Sequence, residues 1–189
     1  MRGIVGVCGT PGTGKKTLAP KVAKLLHLPS MSLTSFAPKG VSEVDTIELR
    51  RKLRERVSGS VVLYGHLLPH VLTRREASFV AVLRCDPSVL RERLTRRGYP
   101  SDKVRENVEA ELIGVVLDEC VKRFGPSLVR EYDTTSASPH VVARAIARDS
   151  SGERRPTSRV RWIDWTLAYG SSSKLRSLLE GPSDPPAST

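Results

Sequence analysis

Apolar residues in this chain fall into two kinds of run, and the two kinds alternate. Short unbroken runs bounded by Gly, Pro or polar residues read as strands buried on both faces. These are Ile4 to Cys8, a weaker Pro29 to Leu33, Ser60 to Tyr64, Phe79 to Arg84 and Leu128 to Tyr132. Between them, apolar positions recur at helical spacing. Lys15 to Leu26 reads as a helix with Leu18, Val22, Leu25 and Leu26 facing inward, and Pro20 lies early enough to be tolerated. Asp45 to Val57 reads as a second helix, with Asp45 at its start and arginines outward. Asp86-Pro87 opens another, Asp as N-cap and Pro at the first helical position, running to about Arg96.

Arg97-Gly98-Tyr99-Pro100 interrupts the chain, and Ser101 is the expected cap of one long helix to Phe124. Its buried stripe would be Val108, Leu112, Val115, Val116 and Cys120. Pro139 to Arg148 completes the series. Strands alternating with helices predict an α/β fold: a five-stranded parallel sheet with helices on both faces.

Residues 1–149 are expected to form the core. Composition then shifts: residues 150–160 read as a basic linker, and 161–180 as a helical segment docked by Trp162 and Trp165. Residues 181–189, rich in Pro and Ser, read as a disordered tail.

The chain has 189 residues, enough for one core without metal or disulfide support. Its three cysteines, Cys8, Cys85 and Cys120, show no CxxC or Cys/His spacing, so a structural zinc is not expected. They read as reduced thiols of a cytoplasmic protein. The N-terminal run leads into a glycine-rich loop rather than a cleavage site, and no apolar run approaches the ~20 residues of a membrane span. Lys and Arg total 31 against 20 acids, a formal charge of +11. That balance fits a polyanionic neighbour such as RNA, with a merely solvated surface as the alternative.

The chemistry starts at Gly9-Thr10-Pro11-Gly12-Thr13-Gly14-Lys15-Lys16-Thr17, placed between a buried strand and a helix. Such a turn aims consecutive backbone N–H groups and the helix dipole at phosphate oxygens. Gly12 and Gly14 permit close approach, and Lys15 reaches the terminal phosphates. The strict pattern places Ser or Thr directly after the lysine, to ligate magnesium. Here Lys16 stands there and the hydroxyl follows as Thr17.

This loop resembles that of the adenylate kinases, in which Thr two after the lysine is expected. Further segments narrow the resemblance to the archaeal-type adenylate kinases, related to isoenzyme six of eukaryotes, the coilin-interacting nuclear ATPase. They are Asp45 to Arg50, Gly65 to His70, Arg84 to Pro87, Arg93-Leu94, Arg97-Gly98-Tyr99, Glu106 to Glu111 and Ile163-Asp164-Trp165. The resemblance spans residues 3 to about 168. It implies a P-loop nucleoside monophosphate kinase fold, with a monophosphate-binding part at about 30–57 and a lid at about 96–106. It implies ATP and AMP (or another monophosphate) as substrates, Mg2+ with the ATP, and ATPase activity. It also implies late maturation of the small ribosomal subunit, with the 30S particle and a ribosomal protein of the S eleven type as partners.

Gly12, Gly14, Lys15, Lys16, Thr17 and Arg97 are the expected ATP contacts, and Lys15, Arg97 and His66 the catalytic set. Arg97, before Gly98-Tyr99, would close positive charge over the phosphates and help expel water. The family has an acidic residue two before the histidine; here it is Tyr64, so the carboxylate expected to anchor magnesium's water shell is missing. A buried structural role is the alternative for His66. Arg50 and Arg54 are candidate grips on the monophosphate, with a solvated basic face as the alternative. The metal ligands and the oligomeric state stay open. Three functions fit these residues: a monophosphate kinase, an ATP-hydrolysing assembly switch with little kinase activity, and a non-catalytic RNA- or protein-binding module.

Overall fold

The computed structural model describes residues 3–36, 45–152 and 162–180. In chain order the elements are β1 (Ile4–Gly9), α1 (Lys15–Leu26), β2 (Ser30–Ser32), a short 3-10 turn (Leu33–Ser35), α2 (Thr46–Arg56) and β3 (Val62–Tyr64). Then come α3 (Leu68–Val71), β4 (Ala77–Arg84), α4 (Pro87–Arg96), α5 (Ser101–Leu112), α6 (Val115–Phe124) and β5 (Val129–Asp133). The last are α7 (Pro139–Ser150), α8 (Trp165–Ala168) and α9 (Ser172–Glu180). No described helix is long and apolar enough to cross a membrane. Residues 37–44, most of the basic linker and the tail lie outside the described residues.

The five strands form one parallel sheet in the order β2-β3-β1-β4-β5. β1 and β4 are central, which is why they are apolar at nearly every position. Their side chains alternate between two cores. Ile4, Cys8, Leu63, Val80 and Val82 pack with Leu49 and Leu53 of α2, Leu68 and Val71 of α3, and Cys120 and Phe124 of α6. Val5, Val7, Phe79, Ala81 and Leu83 pack on the other face with α1 and α7. A third core joins α4 and α5 to the C-terminal segment, through Leu90, Leu94, Val104, Val108 and Leu178, with Trp165 and Tyr169 against it.

Local signals set several boundaries. The Asp45 carboxylate accepts the Ile47 and Glu48 amides at the start of α2, and Asp86 does the same for Ser88 and Val89 in α4. Three expectations need correction. In α1 the buried face runs through Leu18, Ala19, Val22 and Ala23, whose small alanines let α1 approach α7; Leu25 is left at the rim, 46% exposed. Ser101 is the first residue of α5 rather than its cap; Pro100 holds the cap position, with no side-chain bond.

The third correction concerns the long helix, which is broken at Ile113-Gly114, where Gly114 has φ 71°. The carbonyl of Glu111, which a continuous helix would give to the amide of residue 115, accepts the Gly114 amide at 3.2 Å and Arg84 Nη2 at 2.9 Å. Val115 and Val116 are accordingly only half-buried.

Arg84 is 2% exposed, with its guanidinium between the carboxylates of Glu111 and Glu131, whose side chains are 2% and 4% exposed. Removing the cation leaves two buried acids without a counter-charge. Arg84→Met is therefore expected to cost about 3–5 kcal/mol of folding stability. A urea unfolding midpoint close to that of the natural protein would contradict this.

Candidate active site

The nine residues from Gly9 to Thr17 leave the C-terminal end of β1 and enter α1, at the edge of the sheet where ligands of parallel α/β folds bind. The loop is fixed from beneath. The Thr13 hydroxyl donates to the Thr10 carbonyl at 2.9 Å, and Thr134 Oγ1 donates to the Thr13 carbonyl at 2.9 Å. Gly14 is the N-cap of α1 in a left-handed conformation and brings no side-chain cap, so no side chain covers the first amides of α1, where an anion can bind. Gly12 has φ 95°, and a Cβ there would sit 2.6 Å from Leu90 Cδ1. Only glycine allows the loop to lie this close to α4.

Lys15 is folded back onto its own loop. Its Nζ donates to the carbonyls of Gly9 at 2.5 Å and Thr10 at 2.9 Å. Burial pulls its pKa down to about 8; Cys8 and Glu111 oppose the shift, and the neighbouring cations Arg97 and Lys16 add to it. The ammonium is still the main form at neutral pH.

Two cavities flank the loop. The larger, about 480 Å³, lies between the loop, Ser32 and Thr34 at the end of β2, Tyr64 to His66 at the end of β3, and Arg97 with Tyr99. It brings together Gly12, Gly14, Lys15, Lys16, Thr17, His66 and Arg97. The second, about 350 Å³, lies on the other side, against Arg93, Arg97 and the Thr134 to Ser138 turn after β5. Arg97 faces both, at the C-cap of α4, and no carboxylate pairs with it among the described residues. The His66 imidazole is exposed at the cleft wall; partial enclosure first, then Lys15 and His70, hold its pKa below the usual value, so it is neutral at pH 7.

Arg50 and Arg54 are not among the described residues that line this cleft. Arg50 donates to the carbonyls of Val71 and His70 at 3.2 and 3.1 Å, and Arg54 pairs with Glu76 at 3.3 Å. Leu49 and Leu53 anchor α2 in the core. The arginines one position later therefore project sideways, onto α3 and the turn after it.

Sequence reasoning gave no role to Arg93 or to the Thr134–Ser138 turn. Arg93 Nη2 donates to the carbonyls of Thr134 and Thr135 at 2.8 and 2.9 Å, which pins that turn beside the loop. The signal was present: Asp133-Thr134-Thr135-Ser136 is a polar turn at the C-terminal end of a parallel strand.

The geometry can be set beside known proteins. A family model described as "AAA domain" matches residues 5–114. The "Putative adenylate kinase" of Pyrococcus furiosus is 40% identical over 176 residues, covering 88% of this chain and 93% of that protein. The "Putative adenylate kinase" of Natronomonas pharaonis is 39% identical over 173 residues, covering 86% and 97%. Among solved structures, a gluconokinase from Sinorhizobium meliloti superposes with a TM-score of 0.58 at 17% identity, over 81% of this chain and 95% of that one. The YorR protein of Bacillus subtilis, solved in complex with phosphorylated GDP, gives 0.57 at 20% identity, over 79% and 96%. At these identities the structures are similar in fold, that of the P-loop kinases.

The close approach at Gly12 gives a direct test. Gly12→Ala forces a methyl group into Leu90 at an unfavourable φ, and is expected to destabilise the fold by about 1–3 kcal/mol. An unchanged thermal midpoint would show that the loop does not pack as described.

Proposed function

The chain belongs to the family of these archaeal adenylate kinases, and on that premise we propose that it transfers the terminal phosphoryl group of ATP to AMP or another nucleoside monophosphate. One observation carries the reading: the uncapped helix amides, Lys15, His66 and Arg97 line one cleft, and Arg97 also faces the cavity on the far side of the loop. ATP then lies along the loop, its adenosine toward Arg93 and the Thr134–Ser138 turn and its terminal phosphate at Lys15. The acceptor occupies the larger cleft, beside Ser32, Thr34 and Tyr64. In this reading residues 30–57 form the acceptor-side part and 96–106 the lid.

An acceptor phosphate oxygen attacks the terminal phosphorus, and the bond from that phosphorus to the bridging oxygen breaks, leaving ADP on both sides. Charge spreads over the transferring oxygens, and Lys15, Arg97 and the amides at the start of α1 neutralise it. Closure of Arg97 excludes water, which would otherwise take the acceptor's place. Magnesium bound with the nucleotide would supply further charge neutralisation. Thr17 offers it a hydroxyl, and no carboxylate among the described residues lines the larger cleft, so phosphates and water would fill most of its coordination.

A second activity is supported by His66. A neutral imidazole on the cleft wall can orient water, so ATP hydrolysis without acceptor is part of this proposal. The charge of +11 supports a polyanionic setting for that activity, such as the maturing small ribosomal subunit in the cytoplasm with its S eleven type protein.

With terminally labelled ATP and AMP, label is expected in ADP, and a second ADP is expected for each ATP consumed. Release of inorganic phosphate alone, at a rate indifferent to AMP, would remove the kinase reading and leave the hydrolytic one. A second expectation follows from Lys15. Its pKa is depressed, so the site holds the lysine's charge below about pH 8 and loses it as pH rises through that value. ATP affinity of the free protein should fall over that rise, and Lys15→Arg, which keeps its charge, should abolish the fall. A dissociation constant that is flat with pH in the natural protein would contradict this.

A further inference from the structure

Glu111 lines neither cavity, yet its carboxylate is bonded to the loop that lines both. Its Oε2 accepts the Thr10 hydroxyl at 2.6 Å. Its Oε1 accepts Arg84 Nε at 2.7 Å, the Cys85 amide at 3.1 Å and the Trp165 indole N–H at 3.4 Å. Four donors from three separate stretches of chain meet on one carboxylate that is 2% exposed. With its oxygens so engaged and no opening to a cleft, it cannot serve a substrate as base or ligand. What it can do is fix these stretches relative to one another.

One of them is the segment after α7. The Ile163 amide donates to Glu131 Oε2 at 2.8 Å, and the Ile163 carbonyl accepts Arg84 Nη1 at 3.2 Å. Further along, the Tyr169 hydroxyl donates at 2.6 Å to Asp86, the residue that caps α4. α4 carries Arg93 and ends at Arg97. The C-terminal segment therefore holds the site at two points, the support of the phosphate loop and the helix of the two arginines.

We infer that Glu111 is a positioning residue and that the segment Trp162–Glu180 is a brace whose docking sets the nucleotide-binding conformation of the loop. The inference rests on the nucleotide-binding reading above. The route is short. Lys15 is bonded to the Thr10 carbonyl and must leave it to meet a phosphate. The Thr10 peptide then changes partners while its hydroxyl remains on Glu111, and Glu111 passes the change to Trp165. Such coupling is reciprocal: a nucleotide on the loop tightens the brace, and removal of the brace weakens nucleotide binding by the same factor.

The chain has two tryptophans, so Trp162→Phe leaves Trp165 as its only indole reporter. In that protein, ATP binding measured by calorimetry should be accompanied by a saturable change in Trp165 emission with the same midpoint. Thr10→Val, which removes only the hydroxyl link, should abolish the emission change and weaken ATP binding about fivefold or more. Thr10→Ser should restore both. With Trp162 retained, Trp165→Phe removes the indole N–H while keeping an aromatic ring, and should weaken ATP binding to a similar degree; this variant decides the matter if Thr10→Val does not fold. Heat of ATP binding without an emission change, an emission change that persists in Thr10→Val, or unaltered affinity in Trp165→Phe would each overturn the brace alone. No heat of ATP binding would overturn the brace and the nucleotide reading together.

Discussion

Arg84 and Glu111 lose nearly all contact with water on folding, and burying two charges is tolerable only when every remaining donor and acceptor is met. Meeting that demand organises much of the molecule. Arg84 stands at the end of β4, and its Nη2 donates to the Glu111 carbonyl at the break between α5 and α6, beside the turn at Gly114. Glu131 of β5 pairs with Arg84 and holds the Ile163 amide. The other oxygen of Glu111 reaches Thr10 in the phosphate loop. The two ion pairs of Arg84 thus tie two strands, α5, the loop and the C-terminal segment to a common centre beneath the site.

The same centre explains what was legible in the sequence and what was not. β1, the glycine-rich loop and α1 were readable because their causes are local: an apolar run, glycines where a side chain would clash, and helical spacing. Asp45 and Asp86 announced their helices by capping amides two and three residues on. The break at Gly114 was less readable, since the helix carbonyl there is also met by a guanidinium distant in sequence. Leu25 fell on the expected stripe, yet the close approach of α1 to α7 through alanines turned the buried face away from it. Arg50 and Arg54 looked available for a phosphate because residue type and helix phase are visible in a sequence. Their partners, the carbonyls of α3 and the carboxylate of Glu76, are fixed only by tertiary packing. The larger cleft was the most legible part, because strand ends of a parallel sheet converge by topology; Arg93 and the turn after β5 line the second cavity, and the turn had no motif to mark it.

The electrostatics of the cleft have a direction. Lys15, Lys16 and Arg97 line it together, and no carboxylate among the described residues lines it with them. Like charges held close, one of them half-buried, disfavour one another until an anion arrives; the lowered pKa of Lys15 is one sign of this. Lys15 satisfies its protons on two backbone carbonyls meanwhile. A polyphosphate would relieve the repulsion and replace those carbonyls in one step. The site is thus built to gain from binding negative charge, and most from the charge that develops as a phosphoryl group moves.

A crystal structure with a non-hydrolysable ATP analogue and AMP tests this account most directly. The account predicts the triphosphate over the amides that open α1, with Lys15 Nζ moved from the carbonyls of Gly9 and Thr10 onto a terminal phosphate oxygen. It also predicts Arg97 turned onto the phosphates and AMP in the cleft beside Ser32, Thr34 and Tyr64. A nucleotide bound away from the loop, or Lys15 still folded back on its carbonyls beneath a bound triphosphate, would contradict it.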